Sequence, residues 1–261
     1  MIRGLYTAAL GMTTQMKKMD VVSNNIANSD VTGFKRDIVV TQSFSQELMK
    51  RLDDPNSSAR RYQKDTPVGP VSLGVFVDNV VTDFSAGGLQ NTNAPLDIAI
   101  NGDGFFAVSV MDASGNATTK YTRDGSFTVS SDGTLVTKEG NPVLGQNGII
   151  KFNPNGDITI DETGNIFINN QRMNRLAIIN FKNPESLRKA ADNLYDITPE
   201  SQETAFRGTV LQGCLENSNI SSVKEMVEMI SLSRAYEANQ RIIGMLDTTM
   251  GQAASDIARR A

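Results

Sequence analysis

The sequence contains no histidine and no tryptophan, and its only cysteine is Cys214. Histidine is the commonest general base and zinc ligand, so its absence removes every Ser-His or Cys-His nucleophile arrangement. A single cysteine excludes both an intrachain disulfide and a cysteine-rich metal site. We therefore expect a protein that is not an enzyme and that carries no cofactor and no metal.

Long apolar runs and clustered basic residues are also lacking. No stretch approaches the roughly 20 apolar residues that a membrane helix needs, so we expect no membrane insertion. The net charge is -4 and the basic residues occur only in isolated pairs, which argues against a nucleic-acid partner. The apolar run at residues 5–12 has little basic charge before it and no cleavage site close after it, so we predict no secretory signal peptide.

Apolar residues near both chain ends repeat at alternating spacings of three and four. Near the N-terminus the repeat consists of Ile2, Leu5, Ala9, Met12, Met16, Met19, Ser23 and Ile26. Near the C-terminus it consists of Met229, Leu232, Tyr236, Asn239, Ile243, Leu246, Met250, Ala253 and Ile257. This heptad spacing predicts helices over residues 2–26 and about 222–258. Two such helices most simply pair with each other or with neighbouring copies, so we interpret both seams as assembly interfaces. The structural alternative is that each helix packs on the core of its own domain.

The middle of the chain alternates apolar and polar residues with the period of two typical of half-buried strands. Residues 71–78, 96–101 and 106–110 show this alternation, and Asn-Gly and Asp-Gly pairs stand between such segments. The pattern predicts a central all-β domain of short antiparallel strands. With long terminal helices that pair as a coiled-coil layer, the predicted fold class is α+β. Residues 44–66 are polar and charged, and we interpret them as a mobile loop or hairpin tip.

Three short strings imitate chemical motifs. The Gly102-Asp103-Gly104 string resembles a dinucleotide loop, but the residues after it alternate as a strand does, and a phosphate site needs a helix there. Residues 221–224 read S-x-x-K without the K-T-G companion of penicillin-recognising enzymes. Residues 153–157 have the first spacings of a calcium loop without its later Gly and Glu. We interpret these strings as turns and a helix cap.

Four longer strings resemble motifs of one family, the bacterial flagellar rod and hook proteins. The first follows the form N-N-x-A-N-x-x-T-x-G-F-K, and its matching residues are Asn24, Asn25, Ala27, Asn28, Thr32, Gly33, Phe34 and Lys35. The last is similar to the family's C-terminal signature and includes Arg234, Ala235, Tyr236 and Glu237. Residues 99–106 and 121–127 resemble its central motifs. The likeness covers nearly the whole chain except about 44–66, and the length fits the proximal or distal rod subunits better than the longer hook subunit.

The resemblance implies a structural subunit of the basal-body rod, the hollow axial drive shaft of the flagellum. It divides the chain into an N-terminal assembly helix (1–30), a hairpin-like connector with a mobile tip (31–75), a β domain (76–215) and a C-terminal assembly helix (216–261). Its implied partners are copies of itself, other rod or hook subunits, the type III export apparatus and bushing proteins around the rod. The implied location is the basal body outside the cytoplasmic membrane, reached without a cleaved signal peptide.

Two other functions compete with this interpretation. A polysaccharide-binding or polysaccharide-cleaving β domain with helical tails would need exposed aromatic residues and, for hydrolysis, a carboxylate pair. Aromatic residues are only 6% of the chain, which disfavours it. A soluble coiled-coil adaptor would need seams unconnected to the family motifs.

Overall fold

The computed structural model describes residues 2–43, 47–50, 67–71, 74–111, 115–152, 158–169 and 171–260. The chain forms two compact units. The first consists of Met1–Ser23, Ile38–Val81 and Val223–Ala261, and the second of Asn24–Asp37 and Thr82–Ser222. Each unit is therefore assembled from segments that are distant in sequence.

The first unit contains both long helices. Helix α1 spans Ile2–Ala27 and helix α2 spans Ser222–Arg260, so the two helices predicted from the heptad spacing are confirmed. The 39 residues of α2 extend about 58 Å at 1.5 Å per residue. Its strands are β1 (Asp37–Ser43), β2 (Glu47–Lys50), β3 (Pro67–Val71) and β4 (Val75–Thr82). Strand β1 pairs with β4, and β2 pairs antiparallel with β3.

The second unit consists of short strands. In chain order they are β5 (Leu89–Asn91), β6 (Ile98–Asn101), β7 (Phe105–Met111), β8 (Ala117–Thr122), β9 (Thr128–Val129), β10 (Leu135–Val136), β11 (Leu144–Gly145), β12 (Gly148–Ile149), β13 (Ile158–Ile160), β14 (Asn165–Ile168), β15 (Gln171–Arg175), β16 (Ile178–Phe181), β17 (Arg188–Lys189), β18 (Leu194–Asp196), β19 (Glu203–Ala205), β20 (Thr209–Gln212) and β21 (Cys214–Glu216). A 3₁₀ turn at Pro184–Ser186 precedes β17.

The largest sheet of this unit has the order β17-β18-β8-β7-β16-β19. Its longest pairing joins β7 to β8, with Phe106 opposite Thr122 and Met111 opposite Ala117. Strands β13, β14 and β15 form a three-stranded sheet, and β20 and β21 return to pair with β6 and β5. These pairings are antiparallel, which confirms the predicted central β region and the α+β class.

Two apolar clusters form the core of the second unit. The larger draws on residues of β6, β7, β14 and β20, including Ile98, Phe106, Ile166 and Val210. The smaller cluster is aromatic and lies on the other side of β7, since Phe105 points into it while its neighbour Phe106 points into the larger one. Neighbouring residues of a strand face opposite sides, so one strand serves both clusters.

The predicted connector at 31–75 contains the β2–β3 pairing, with Glu47 opposite Val71. The predicted mobile tip falls largely on residues 44–46 and 51–66, which lie outside the described residues, as does the calcium-like string at 153–157. The division into 1–30, 31–75, 76–215 and 216–261 stays a prediction. In the part of the chain that the structure describes, neither helix combines the length and apolar character of a membrane span.

Candidate functional site

Helix α2 places its predicted seam on its least exposed face. Leu232 is buried there, and seven further seam residues are half-buried: Met229, Tyr236, Asn239, Ile243, Leu246, Met250 and Ala253. Ile257, near the end of the helix, is 71% exposed. The alternation of three and four residues therefore selects one side of α2, as a heptad repeat does.

Helix α1 buries a different face from the predicted seam. Ala8 and Val22 are buried and Gly11 is half-buried. Steps of three and four residues connect these three positions, so they share one face of the helix. This face precedes the predicted seam by one residue, which is about 100° around the helix. Of the seam residues, Ala9, Met16 and Ser23 are exposed, whereas four others are half-buried: Leu5, Met12, Met19 and Ile26. Ile2 begins the helix. The role of the seam in assembly stays a prediction.

The two helices meet antiparallel. A methyl group built on Gly4 would lie 3.6 Å from Cδ1 of Leu246, and one built on Gly11 would lie 3.0 Å from Nδ2 of Asn239. The residue number rises from Gly4 to Gly11 along α1, while that of the contacted residue falls from Leu246 to Asn239 along α2. Small residues at this face of α1 let the helix axes approach closely, because interaxial distance follows the side chains at the contact.

The first turns of α2 carry an exposed apolar surface, which we name the α2 patch. It consists of Val223, Met226, Val227 and Ile230, and Ile230 is 56% exposed. Three- and four-residue spacing places these residues on one side of the helix. Contiguous exposed apolar area of this kind marks an interaction surface more often than an isolated apolar residue does.

The C-terminal family motif lies in the middle of α2. Arg234 and Glu237 are exposed, while Ala235 and Tyr236 are half-buried. Glu237 forms an exposed i,i+4 pair with Arg241, with Nη2 and Oε2 4.0 Å apart. An exposed pair of this kind contributes little to stability. The polar residues of the motif lie on the surface of α2.

The N-terminal family motif continues from the end of α1 into a buried part of the second unit. Its residue Asn25 donates from Nδ2 to the carbonyl of Asp37 at 3.0 Å and accepts the Asp37 amide at 3.1 Å. Asn28 donates from Nδ2 to the Asn24 carbonyl at 2.8 Å at the helix end, next to exposed Ala27. The two asparagines thus satisfy backbone groups where α1 ends.

Gly33 occupies a position that only glycine fits. Its φ is +65°, and a Cβ there would lie 2.5 Å from the carbonyl carbon of Arg123. The Gly33 amide donates to the carbonyl of Glu216 at 2.7 Å. Its neighbour Thr32 donates to Oδ1 of Asp124 at 2.6 Å. This turn is therefore held by close backbone approach as well as by side chains.

Lys35 and Glu216 form a buried ion pair, 181 residues apart in the chain. Nζ of Lys35 lies 2.6 Å from Oε1 of Glu216 and donates to the carbonyl of Ser85 at 2.8 Å. The Lys35 side chain is 0% exposed. Gly87 donates its amide to the same carboxylate oxygen at 3.0 Å, and Nε of Arg123 lies 3.7 Å from the other oxygen. Burial lowers the pKa of Lys35, and the Glu216 carboxylate opposes that shift. We name this set, with residues 24–37, the buried junction.

A second ion pair lies beside the first. Lys189 donates from Nζ to Oδ2 of Asp37 and to the carbonyl of Lys35, both at 3.0 Å. The same ammonium lies 3.7 Å from the centre of the Phe34 ring, a cation–π contact. Burial lowers the pKa of Lys189, whereas the Asp37 carboxylate raises it. Phe34 therefore packs its ring beneath a charge that is already paired.

The segment that leads into α2 is held by the same junction. Asn219 accepts the Arg36 amide at Oδ1 at 2.8 Å and donates from Nδ2 to the Asp83 carbonyl at 2.8 Å. Asn193 donates to the Thr32 carbonyl at 3.1 Å. The chain leaving α1 and the chain entering α2 are thus joined within the second unit.

The structure brings together Asn25, Thr32, Gly33, Phe34 and Lys35 of the predicted motif, in or beside the buried junction. Sequence reasoning did not single out their partners Glu216, Lys189, Asp37 and Asn219. Arg123 and Asp124 lie inside the central string 121–127, which was the only sequence signal for any partner. Acidic residues next to turns are common, so nothing local distinguishes a buried Glu216.

The described residues of the junction form ion pairs that join distant segments of the chain. The buried aromatic residues Phe105, Phe106, Tyr121 and Tyr195 fill the core rather than line a groove. Within the described ranges, no three His, Cys, Asp or Glu side chains come together in a geometry that could hold a metal. The dinucleotide-like string at 102–104 leads into strand β7 rather than a helix.

Comparison with known families gives three matches along the chain. Residues 5–35 match the family described as flagella basal body rod protein. Residues 99–170 match the flagellar hook protein FlgE/F/G D1 domain, and residues 211–256 match the flagellar basal body rod FlgEFG protein C-terminal region.

Comparison with curated proteins gives relatives over nearly the full chain. The flagellar basal-body rod protein FlgG of Buchnera aphidicola subsp. Schizaphis graminum is 36% identical over 260 residues, covering 95% of this chain and 96% of that protein. FlgG of Borreliella burgdorferi is 34% identical, covering 96% and 97%. The flagellar basal-body rod protein FlgF of Caulobacter vibrioides is 32% identical, covering 99% and 98%.

Proposed function

The chain belongs to the flagellar basal-body rod and hook protein family, and from this we propose that it is a structural subunit of the rod that polymerises through its terminal helices. The observation that carries the proposal is the division of the helix surfaces. One face of α1 meets α2 within the subunit, while Met16 and the α2 patch stay exposed. A polymer that does not close needs complementary surfaces on different sides of each subunit.

The seam residues that are buried or half-buried on α2 and the exposed apolar residues have different roles in this proposal. Seam residues of α2 such as Leu232 pack within the subunit, and the helix pair is the coiled-coil layer. Met16 on α1 and Ile230 on α2 face neighbouring copies. Burying such side chains between subunits stabilises the polymer by about 1.5–3 kcal/mol each.

The buried junction supports assembly without touching a neighbour. Lys35 and Glu216 join the chain just after α1 to the chain just before α2. We infer that this link holds the chain that leaves α1 beside the chain that enters α2, within the second unit. The N-terminal motif residues of the junction, such as Gly33 and Lys35, therefore act as positioning residues rather than as contacts of the polymer.

The proposed partners are copies of this chain and other rod or hook subunits, with the type III export apparatus and bushing proteins around the rod. The proposed location is the basal body outside the cytoplasmic membrane, reached without a cleaved signal peptide. The relatives' names describe rod proteins, which supports a structural rather than an enzymatic role. Proximal and distal rod positions both fit this proposal.

The experiment introduces one charge on each exposed surface, as Met16→Asp and Ile230→Asp. Met16 is 48% exposed, so aspartate at either position stays hydrated in the free subunit. In a polymer contact it would be desolvated at a cost of several kcal/mol. We expect normal melting temperatures for both purified variants but no swimming and incomplete rods in cells.

Lys17→Asp and Ser231→Asp are the matched controls, because both residues are exposed and each neighbours a test position. They should impair swimming less than the test variants do. Complete rods and normal swimming with both Met16→Asp and Ile230→Asp would show that these surfaces are not polymer contacts.

A further inference from the structure

Two Asn-Gly pairs lie in the described part of the second unit, and the structure holds them differently. Asn101-Gly102 stands at the end of β6, and Asn147-Gly148 stands at the turn that enters β12. The pair at 155–156 falls outside the described residues. Since glycine has no Cβ to obstruct the approach, its backbone nitrogen can reach Cγ of the preceding asparagine. The hydrogen bonding of that nitrogen decides whether it is available.

The N–H of Gly102 points away from the ladder that ends beside it. Strand β6 pairs with β20, and the Gly213 amide donates to the Asp97 carbonyl at 2.7 Å. Hydrogen-bonded pairs recur at every second residue of an antiparallel ladder, so Asn101 is the last bonded residue of β6. Gly102 takes the next position, where the N–H points to the side away from β20. It is exposed, and its N–H has no acceptor among the described residues.

The N–H of Gly148 is held in a ladder instead. Gly148 opposes Gly145 in the β11–β12 pairing, and two residues further along the Ile150 amide donates to the Val143 carbonyl at 3.2 Å. By the same alternation, Gly148 and Gly145 form a hydrogen-bonded pair, and the Gly148 N–H points toward Gly145. Attack by the Gly148 nitrogen would break a ladder hydrogen bond, whereas attack by the Gly102 nitrogen breaks none of its own.

The side chain of Asn101 is also accessible. It is exposed, and its Nδ2 lies 3.4 Å from Oγ1 of Thr209, which is a long contact for a hydrogen bond. Rotation about the bond between Cα and the carbonyl carbon of Asn101 brings Cγ to the Gly102 nitrogen. This rotation disturbs the β6–β20 ladder only at its last pair, and the next strand begins only at Phe105.

We propose that Asn101 is a site of spontaneous deamidation, in which the Gly102 backbone nitrogen displaces the side-chain amide. The nitrogen forms a bond to Cγ of Asn101 and closes a cyclic imide. The Cγ–Nδ2 bond breaks, and Nδ2 leaves as ammonia with the proton that the Gly102 nitrogen gives up. Water then adds to either imide carbonyl and opens the ring to aspartate or isoaspartate, with no oxidation or reduction. The product adds one negative charge to a chain of net charge -4.

Incubation of the purified full chain in mildly alkaline buffer, followed by mass spectrometry of its peptides, tests the site. We expect the amide of Asn101 to be lost several-fold faster than that of Asn147, with aspartate and isoaspartate both present at position 101. Equal loss at the two asparagines, faster loss at Asn147, or no loss at Asn101 would overturn the proposal. Aspartate alone at position 101 would indicate direct hydrolysis and would overturn it as well.

The same incubation in concentrated guanidinium chloride is the matched control, because the unfolded chain keeps both Asn-Gly pairs and loses both ladders. The two amides should then be lost at similar rates. An equally large preference for Asn101 in the unfolded chain would mean that flanking residues rather than the fold select it, contrary to the proposal. Asn101→Gln keeps an amide but needs a larger ring, so ammonia release at this position should stop. Loss that continues at the original rate would contradict attack by Gly102.

Discussion

Lys35→Met tests whether the buried junction holds the second unit together. The substitution removes the ammonium 2.6 Å from Oε1 of Glu216 and keeps a similar apolar stem. The Ser85 carbonyl keeps a hydrogen bond from Asn219 at 3.3 Å, and Glu216 keeps the Gly87 amide. The remaining cation, Arg123, lies 3.7 Å from the other carboxylate oxygen, so the buried charge of Glu216 is only partly compensated.

Removing one partner of a buried ion pair costs about 3–5 kcal/mol, a large share of the roughly 5–15 kcal/mol that stabilises a typical domain. Urea unfolding followed by tyrosine fluorescence would measure the loss, because Tyr121 and Tyr195 report on this unit. The matched control is Lys120→Met, which breaks a partly exposed pair with Asp196 at 3.3 Å and should cost less than about 1 kcal/mol. Equal losses for the two variants would refute the structural role of the Lys35–Glu216 pair.

Two further substitutions test local geometry in the second unit. Gly33→Ala should lower the free energy of unfolding by about 3 kcal/mol or more, because it adds a backbone clash to the unfavourable φ of +65°. The control is Gly140→Ala, where φ is +89° and the space around the residue is open. It should lower the free energy of unfolding by about 1–2 kcal/mol in the same urea titration. Asp161→Ala should cost about 1–2 kcal/mol at pH 7 after allowance for solvent screening. Burial raises the pKa of Asp161, but hydrogen bonds from Asn165 and Thr163 outweigh it and hold the pKa at about 2, so the stabilisation is present above the ordinary value of 3.8 and is lost as pH falls through about 2. Urea titrations of both proteins across this range should therefore converge at low pH, and a constant difference would contradict the assignment.

Much of the fold could be predicted because its signals are local. The three-and-four spacing marked both helices to within about two residues of their observed ends. Alternation around Ile98–Asn101 and Phe105–Met111 marked β6 and β7. Each signal depends on which side of a helix or strand is buried. The spacing of apolar residues within that one segment reveals the buried side.

The buried face of α1 could not be predicted by the same signal. The repeat was assigned from large apolar residues such as Met16, whereas the helix contact uses Gly4 and Gly11. Small residues carry little hydrophobic signal of their own but permit close approach of two helices. The large residues are thereby left for other contacts.

The partners in the buried junction were hidden for another reason. Lys35 and Glu216 are 181 residues apart, and most of the β unit lies between them in the sequence. A charged residue in a sequence predicts exposure, and its burial becomes possible only when a partner arrives from a distant segment. For Gly33 the sequence predicted the motif position but not its physical cause. That cause is the close approach of the Arg123 backbone, which comes from a distant segment.

Electron micrographs of basal bodies purified from cells that lack this chain would test the central claim most directly. If the chain is a structural rod subunit, these basal bodies should have a rod that is missing or ends early, and re-expression of the intact chain should restore its full length. Complete rods of normal length in the absence of the chain would contradict the account.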